Sequence, residues 1–238
     1  MDLKEEKAIG GDPSAHWYYI AKGRALMSFL GGAAAGKILD VGAGSGVFSK
    51  MLIAKGSAER STCVDTGYED DFFGARAGDK IDYVRSVETV DADAVLMIDV
   101  IEHVDDDVAL IRDYGDRAAP GTKFLISVPA FQFLWSSHDE FLEHRRRYTL
   151  SSLKTSVTAA GLQPIKSRYF FGLIFPAVAA MRAFENKNAP AESQMRPAPN
   201  WLNASLVALH DLERLALFPF NRLAGVSAFC LAEKPAQA

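Results

Sequence analysis

The chain has 238 residues, and 26 Lys and Arg against 30 Asp and Glu leave a net charge of −4 with histidine neutral. At 49% hydrophobic and 24% charged it can bury a sizeable core, which excludes the disordered and collagen-like classes. Without a long basic run no nucleic-acid partner is expected. Cys63 and Cys230, far apart in apolar runs, offer neither a disulfide framework nor a four-ligand zinc site, so the cytoplasm is the expected compartment.

The charged opening, residues 1–7, is followed by no apolar stretch and reads as neither a signal peptide nor an anchor. Trp17, Ile20, Ala21, Leu26, Met27 and Leu30 recur at helical spacing and predict a helix ended by Gly31 and Gly32. A first strand over 37–42 leads through glycines into a helix over 47–55. Further strands are expected over 61–65, 81–85, 94–99 and 123–128, with helices over 107–118 and 150–160. Alternation of this kind implies an α/β fold, a mostly parallel sheet with helices on both faces. Beyond it come a strand over 165–171, an apolar run over 170–181, a polar stretch rich in Pro and Asn over 186–200, and a last strand over 225–233. Between the polar stretch and that strand, Leu202, Leu206, Leu209, Leu212 and Leu215 line one face of a helix, and Asn203, His210 and Arg214 the other. The expected organisation is an N-terminal helical lid (1–36), a ligand-binding core (37–170), an apolar helical insertion covering the substrate (171–222), and the last strand and tail of the core (223–238).

Asp40-Val41-Gly42-Ala43-Gly44-Ser45-Gly46 sits at the carboxyl end of the first strand and opens a helix, where open α/β sheets bind ligands. Glycine allows positive φ and close approach of a ligand, and the helix amino end offers unpaired N–H groups. Asp65 follows about 20 residues on, at the end of the second strand, where a carboxylate can accept from both hydroxyls of a ribose. A dinucleotide and S-adenosylmethionine both meet that geometry. Gly42, Gly44 and Gly46 read G-x-G-x-G, however, not the G-x-G-x-x-G of a pyrophosphate loop. Asp40 would repel pyrophosphate but can orient an ammonium, directly or through water. The methyl donor is favoured; an NAD-dependent oxidoreductase and a non-catalytic, membrane-associated donor-binding protein are the alternatives.

The segments Ile38 to Gly46, Cys63-Val64-Asp65, Met97 to Val104 and Pro120-Gly121 resemble successive motifs of the Rossmann-like (class I) S-adenosylmethionine-dependent methyltransferases, over residues 16–170. His16-Trp17-Tyr18 with Arg24, and Val128-Pro129-Ala130 through Leu134 to Asp139 and on to His144 to Thr149, is similar to a bacterial branch of that superfamily. Glu102-His103 resembles the ubiquinone-type O-methyltransferases, whose substrates carry a prenyl tail. The resemblance implies a seven-stranded sheet. It implies that Gly42, Ala43, Gly44 and Gly46 hold the donor, that Asp65 binds its ribose, that Asp99 and Val100 line the slot near the sulfonium, and that Trp17, Tyr18 and Arg24 close over it. Where the family carries an acid after the third strand to read the adenine, this chain has Arg85-Ser86-Val87-Glu88, so Ser86 or Glu88 takes that place.

Methyl transfer needs alignment and, for some acceptors, a base, and neutral imidazole suits the latter. His103 after the fourth strand and His138 after the fifth are the candidates, against a helix-start role for His103. His138-Asp139 reads as a base with its orienting carboxylate, as ligands of a metal completed by His144, or as a loop tied by its own polar groups; no metal is expected, because adjacent His and Asp seldom hold one ion well. Arg145, Arg146 and Arg147 either bind an anionic substrate or pair with Glu140 or Glu143. The apolar run around residues 169–181 falls short of the about 20 residues that span a bilayer. With the amphipathic helix it makes an oily cover, so the expected acceptor is an apolar small molecule or a lipid-linked one. Peripheral contact with the inner membrane and assembly as a monomer or homodimer stay open.

Overall fold

The computed structural model describes residues 12–31, 36–71, 80–185 and 197–236. The charged opening and most of the Pro- and Asn-rich stretch lie outside the described residues. Strands β1 (Lys37–Val41), β2 (Arg60–Val64), β3 (Ile81–Val84), β4 (Ala94–Ile98), β5 (Lys123–Pro129), β6 (Gln163–Phe170) and β7 (Ser227–Glu233) form one sheet in the order β3-β2-β1-β4-β5-β7-β6. β7 alone runs antiparallel, between β5 and β6. β4 shows why the strands read as unbroken apolar runs: all five of its residues are buried, since helices cover both faces. The strand order reverses between β1 and β4, which opens a crevice at their carboxyl ends.

On one face, α1 (Trp17–Leu30) and α2 (Val47–Ala54) pack Leu26, Phe29 and Leu52 against Ile38, Leu96 and Phe229. On the other, α3 (Asp107–Arg117) and α5 (Leu150–Ala159) pack Ile111 and Leu153 against Val95, Met97 and Phe124. α1 is built into this core along most of its length, so its first turn, Trp17 and Tyr18, is the part that reaches the crevice. A short helix absent from the sequence reading, α4 (Ser137–Phe141), follows β5, started by a capping box between Ser136 and Asp139.

α6 (Phe175–Phe184) and α7 (Asn200–Ala216) lie between β6 and β7 in the chain, and α7 is turned inside out. Leu209, Leu212 and Leu215 are 37%, 63% and 67% exposed, while His210 and Glu213 are buried. Hydrogen bonding decides this. Asn203 accepts from the backbone N–H of Trp17 at 2.7 Å and donates to the carbonyl of Ala15 at 3.1 Å, so it serves the amino end of α1. Glu213 accepts from Gly172 N–H at 2.6 Å and pairs with His210 Nδ1 at 2.9 Å. Arg24 forms an ion pair with Asp211. Arg24 therefore clamps α1 to α7 instead of closing over a donor. Among the described residues no helix is long and apolar enough to cross a membrane.

Candidate active site

After β1 the chain turns through Gly42, Gly44 and Gly46 at φ +63°, +53° and +69°. A Cβ on Gly42 would lie 2.7 Å from Val100 Cγ2, and one on Gly46 would lie 3.0 Å from Cys63 Sγ. Conformation and space both demand glycine. Asp65 accepts from Gly44 N–H at 2.9 Å on one oxygen and from Gly67 N–H at 2.9 Å on the other, which seats its carboxylate beside the turn. Ala43 is buried under the same turn and Val100 packs across it. A concave turn with glycine at three of its five positions, at a helix amino end, with a carboxylate one strand over, fits the methionine and ribose ends of S-adenosylmethionine. Ser86 lies exposed just after β3.

Asp40 corrects the expectation that it orients an ammonium directly. Its side chain is buried, and one oxygen accepts from the Ser49 hydroxyl of α2 at 2.7 Å, with Ser61 of β2 next to Ser49. Burial, only partly offset by the Ser49 bond, pushes its pKa up to about 6. A folded-state value above the unfolded one means that stability is complete below about pH 4 and falls as pH rises through 6. Asp40→Asn removes that loss. Urea unfolding should show wild type losing about 3 kcal/mol relative to Asp40→Asn between acid and mildly alkaline buffer, and parallel pH profiles would refute it.

Beyond the turn, a cavity of about 260 Å³ lies at the carboxyl edge of the sheet. Trp17, Phe171, Ile174 and Val178 make its apolar wall, and Asp99, Glu102, His103, His138, His144 and Arg147 its polar one. Tyr18 stacks on Phe171 with centroids 5.3 Å apart, and Trp17 on His210 at 5.5 Å. Asp99 follows β4 with φ +53° and is paired with the ammonium of Lys22, which also donates to the Tyr18 hydroxyl at 2.9 Å. Lys22 is fully buried and was missed in the sequence; its place between Tyr19 and Leu26 on the apolar side of α1 was the available signal. Phe131, Glu143 and Phe171 also have positive φ. Asp99, Phe131 and Phe171 directly or nearly follow β4, β5 and β6, and two of them, Asp99 and Phe171, line the cavity.

Glu102 is fully buried at the cavity wall, and among the described residues neither of its carboxylate oxygens has a hydrogen-bond partner. Burial, then the charge of Asp99, raises its pKa well above the usual range. The rings of His103 and His144 meet edge to face at 4.7 Å. His138 reaches the cavity from α4.

Asp139 plays a different part from the one expected. It is wholly buried and accepts from Arg147 Nε at 2.7 Å and Nη2 at 2.8 Å, from the Ser136 N–H at 2.9 Å, and is 2.9 Å from His144 Nδ1. Burial alone would raise its pKa, but the bonds from His144 and Arg147 hold the carboxyl far below the usual range. Its oxygens are occupied, so Asp139 positions His144 and Arg147; it is neither a reacting group nor a ligand joining His138 and His144. The side chains that do converge with ligand spacing are Glu102, His103 and His144. Of the other arginines, Arg146 Nη2 donates to the Asp105 carbonyl at 2.6 Å, whereas the Arg145 side chain is exposed, 3.6 Å from Asp105 Oδ1, and only its backbone N–H is tied down, to the Glu102 carbonyl at 2.7 Å.

A family model described as a methyltransferase domain matches residues 15–167. The chain belongs to the methyltransferase domain family. The ubiquinone biosynthesis O-methyltransferase of Xanthomonas axonopodis pv. citri is 32% identical to this methyltransferase over 105 residues, 40% of this chain and 43% of that relative. The match thus spans less than half of the curated relative. Among solved structures, the methyltransferase in complex with the Haloferax volcanii Trm112 methyltransferase activator superposes with a TM-score of 0.57 at 17% identity, covering 94% of this chain and 91% of the other. An S-adenosylmethionine-dependent methyltransferase from Mesorhizobium loti gives 0.56 at 15% identity, covering 90% and 97%. At such identities these two show the fold. The family match and the fold place the chain among the class I S-adenosylmethionine-dependent methyltransferases, and the oxidoreductase alternative falls away.

Proposed function

We propose that this methyltransferase acts on an oxygen, in preference to a nitrogen, of an apolar small molecule or lipid-linked acceptor. The carrying observation is the cavity beside Asp99, where a wall of Phe171, Ile174 and Val178 faces the histidines. S-adenosylmethionine supplies a methyl group already activated by its sulfonium. The chain's own work is to hold and align: the turn at Gly42, Gly44 and Gly46 with Asp65 seats the donor, Ser86 borders the adenine end, and the Lys22–Asp99–Tyr18 cluster stiffens the floor between donor and acceptor. Trp17 and Tyr18 cover the apolar side. His138, on α4 at the cavity, takes the proton of the acceptor hydroxyl, with His103 the second candidate.

The outward leucines of α7, with Phe184 and Leu223 both 90% exposed, favour an acceptor met at a lipid surface by a protein otherwise in the cytoplasm. Incubating the enzyme with methyl-labelled donor and a total lipid extract should place label in the organic phase, on oxygen. His138→Ala should slow that turnover on the order of a hundredfold with donor affinity unchanged. Label confined to water-soluble or N-methylated products would overturn the reading.

A further inference from the structure

We propose that Glu102, His103 and His144 form a binding site for one divalent first-row transition-metal ion, of the Zn²⁺ or Co²⁺ kind, in the wall of the acceptor cavity. A carboxylate oxygen and one nitrogen from each imidazole lie within 4.8 Å of one another. Around a shared ion at ordinary bond lengths such atoms stand about 3 to 3.5 Å apart, so small side-chain rotations close the site.

A second observation points to a cation. Glu102 is fully buried, and neither of its oxygens has a hydrogen-bond partner among the described residues. A buried carboxylate in that state is costly unless a positive charge meets it. The neighbouring carboxylates already have theirs, Asp99 from Lys22 and Asp139 from Arg147.

The surroundings are also those of a ligand shell. Asp139 Oδ1 lies 2.9 Å from His144 Nδ1, which fixes that ring and leaves Nε2 as its ligating nitrogen, the carboxylate–histidine–metal arrangement. Arg145 N–H donates to the Glu102 carbonyl, which pins the segment carrying His144 to the turn carrying Glu102 and His103. One oxygen and two imidazoles suit Zn²⁺ or Co²⁺ better than the oxygen-preferring Mg²⁺, Ca²⁺ and Mn²⁺. Three protein ligands leave a position open toward the cavity, as at catalytic sites. On the methyl-transfer reading above, an acceptor hydroxyl bound there would be acidified and give its proton to His138 across the cavity, its electron pair staying on oxygen. The ion site itself does not depend on that reading.

The test is titration of the metal-stripped full chain with Co²⁺ alone, followed by visible absorption, with Zn²⁺ as competitor. One Co²⁺ per chain is expected, displaced by Zn²⁺, with affinity lower on the order of tenfold or more in Glu102→Gln and in His144→Asn. Circular dichroism checks that each variant folds, and His103→Gln stands in for one that does not. No saturable binding at millimolar metal, or equal binding in wild type and folded variants, overturns the proposal. Calorimetry of S-adenosylhomocysteine on the same samples separates the two readings: nucleoside binding without Co²⁺ binding rejects the ion alone, and Co²⁺ binding without nucleoside binding rejects the donor site alone.

Discussion

Asp139→Ala should lower folding stability by about 3–5 kcal/mol, measured by urea unfolding at neutral pH. The substitution leaves the Arg147 guanidinium, nearly as buried as its partner, with the carbonyl of Ala130 at 3.2 Å in place of a carboxylate. It also removes the capping box that begins α4, worth about 1 kcal/mol. Because the carboxyl is held below its unfolded pKa, its contribution is present above the ordinary carboxylate range and fades as pH falls beneath it, so the gap between wild type and variant should narrow in acid. His138→Ala, one residue away, should change stability by no more than about 0.5 kcal/mol. Equal losses in the two variants would show that the buried ion pair does not hold this segment.

The second large effect is expected at Gly42. Alanine there must adopt φ +63°, unfavourable by about 1–2 kcal/mol. Its Cβ would also stand 2.7 Å from Val100 Cγ2, which adds about 1–3 kcal/mol of overpacking. The turn can relieve the clash by shifting away from Val100, into the space where the donor binds. Calorimetry with S-adenosylhomocysteine should therefore show affinity down by on the order of tenfold or more, alongside lower stability. Adding Val100→Ala should restore part of both. Wild-type affinity in Gly42→Ala would remove this turn from the donor site.

Much of the fold was legible because its signals are local. The helix expected from Trp17 to Leu30 is α1 with the same bounds, and each of the seven strands was found to within a few residues, since apolar runs between glycine-rich turns have few other readings. What stayed hidden depends on partners distant in the chain. The pattern of α7 shows that it has an apolar side, but which side the protein buries is settled by Asn203 at Trp17 and Asp211 at Arg24. His138 and Asp139 looked like a pair because they are neighbours, yet successive side chains on a helix diverge by about 100°, and Asp139 turned instead toward His144 and Arg147. The Ser136-x-x-Asp139 spacing was itself a helix-start signal that would have placed α4. Glu102 carries a family resemblance in the sequence; that its carboxylate is sealed away with no hydrogen-bonding partner among the described residues could be learned only from the packed chain.

The antiparallel placement of β7 between β5 and β6 bears on how the enzyme is made. Until residues 227–233 have left the ribosome, β6 has no neighbour in the sheet and the edge of β5 stands open. The half from β3 to β5, whose partners are sequential or nearly so, can assemble during synthesis, whereas the half that walls the acceptor cavity is completed only by the last strand to emerge. Donor-binding competence should thus precede acceptor selectivity during synthesis, the latter waiting on β7.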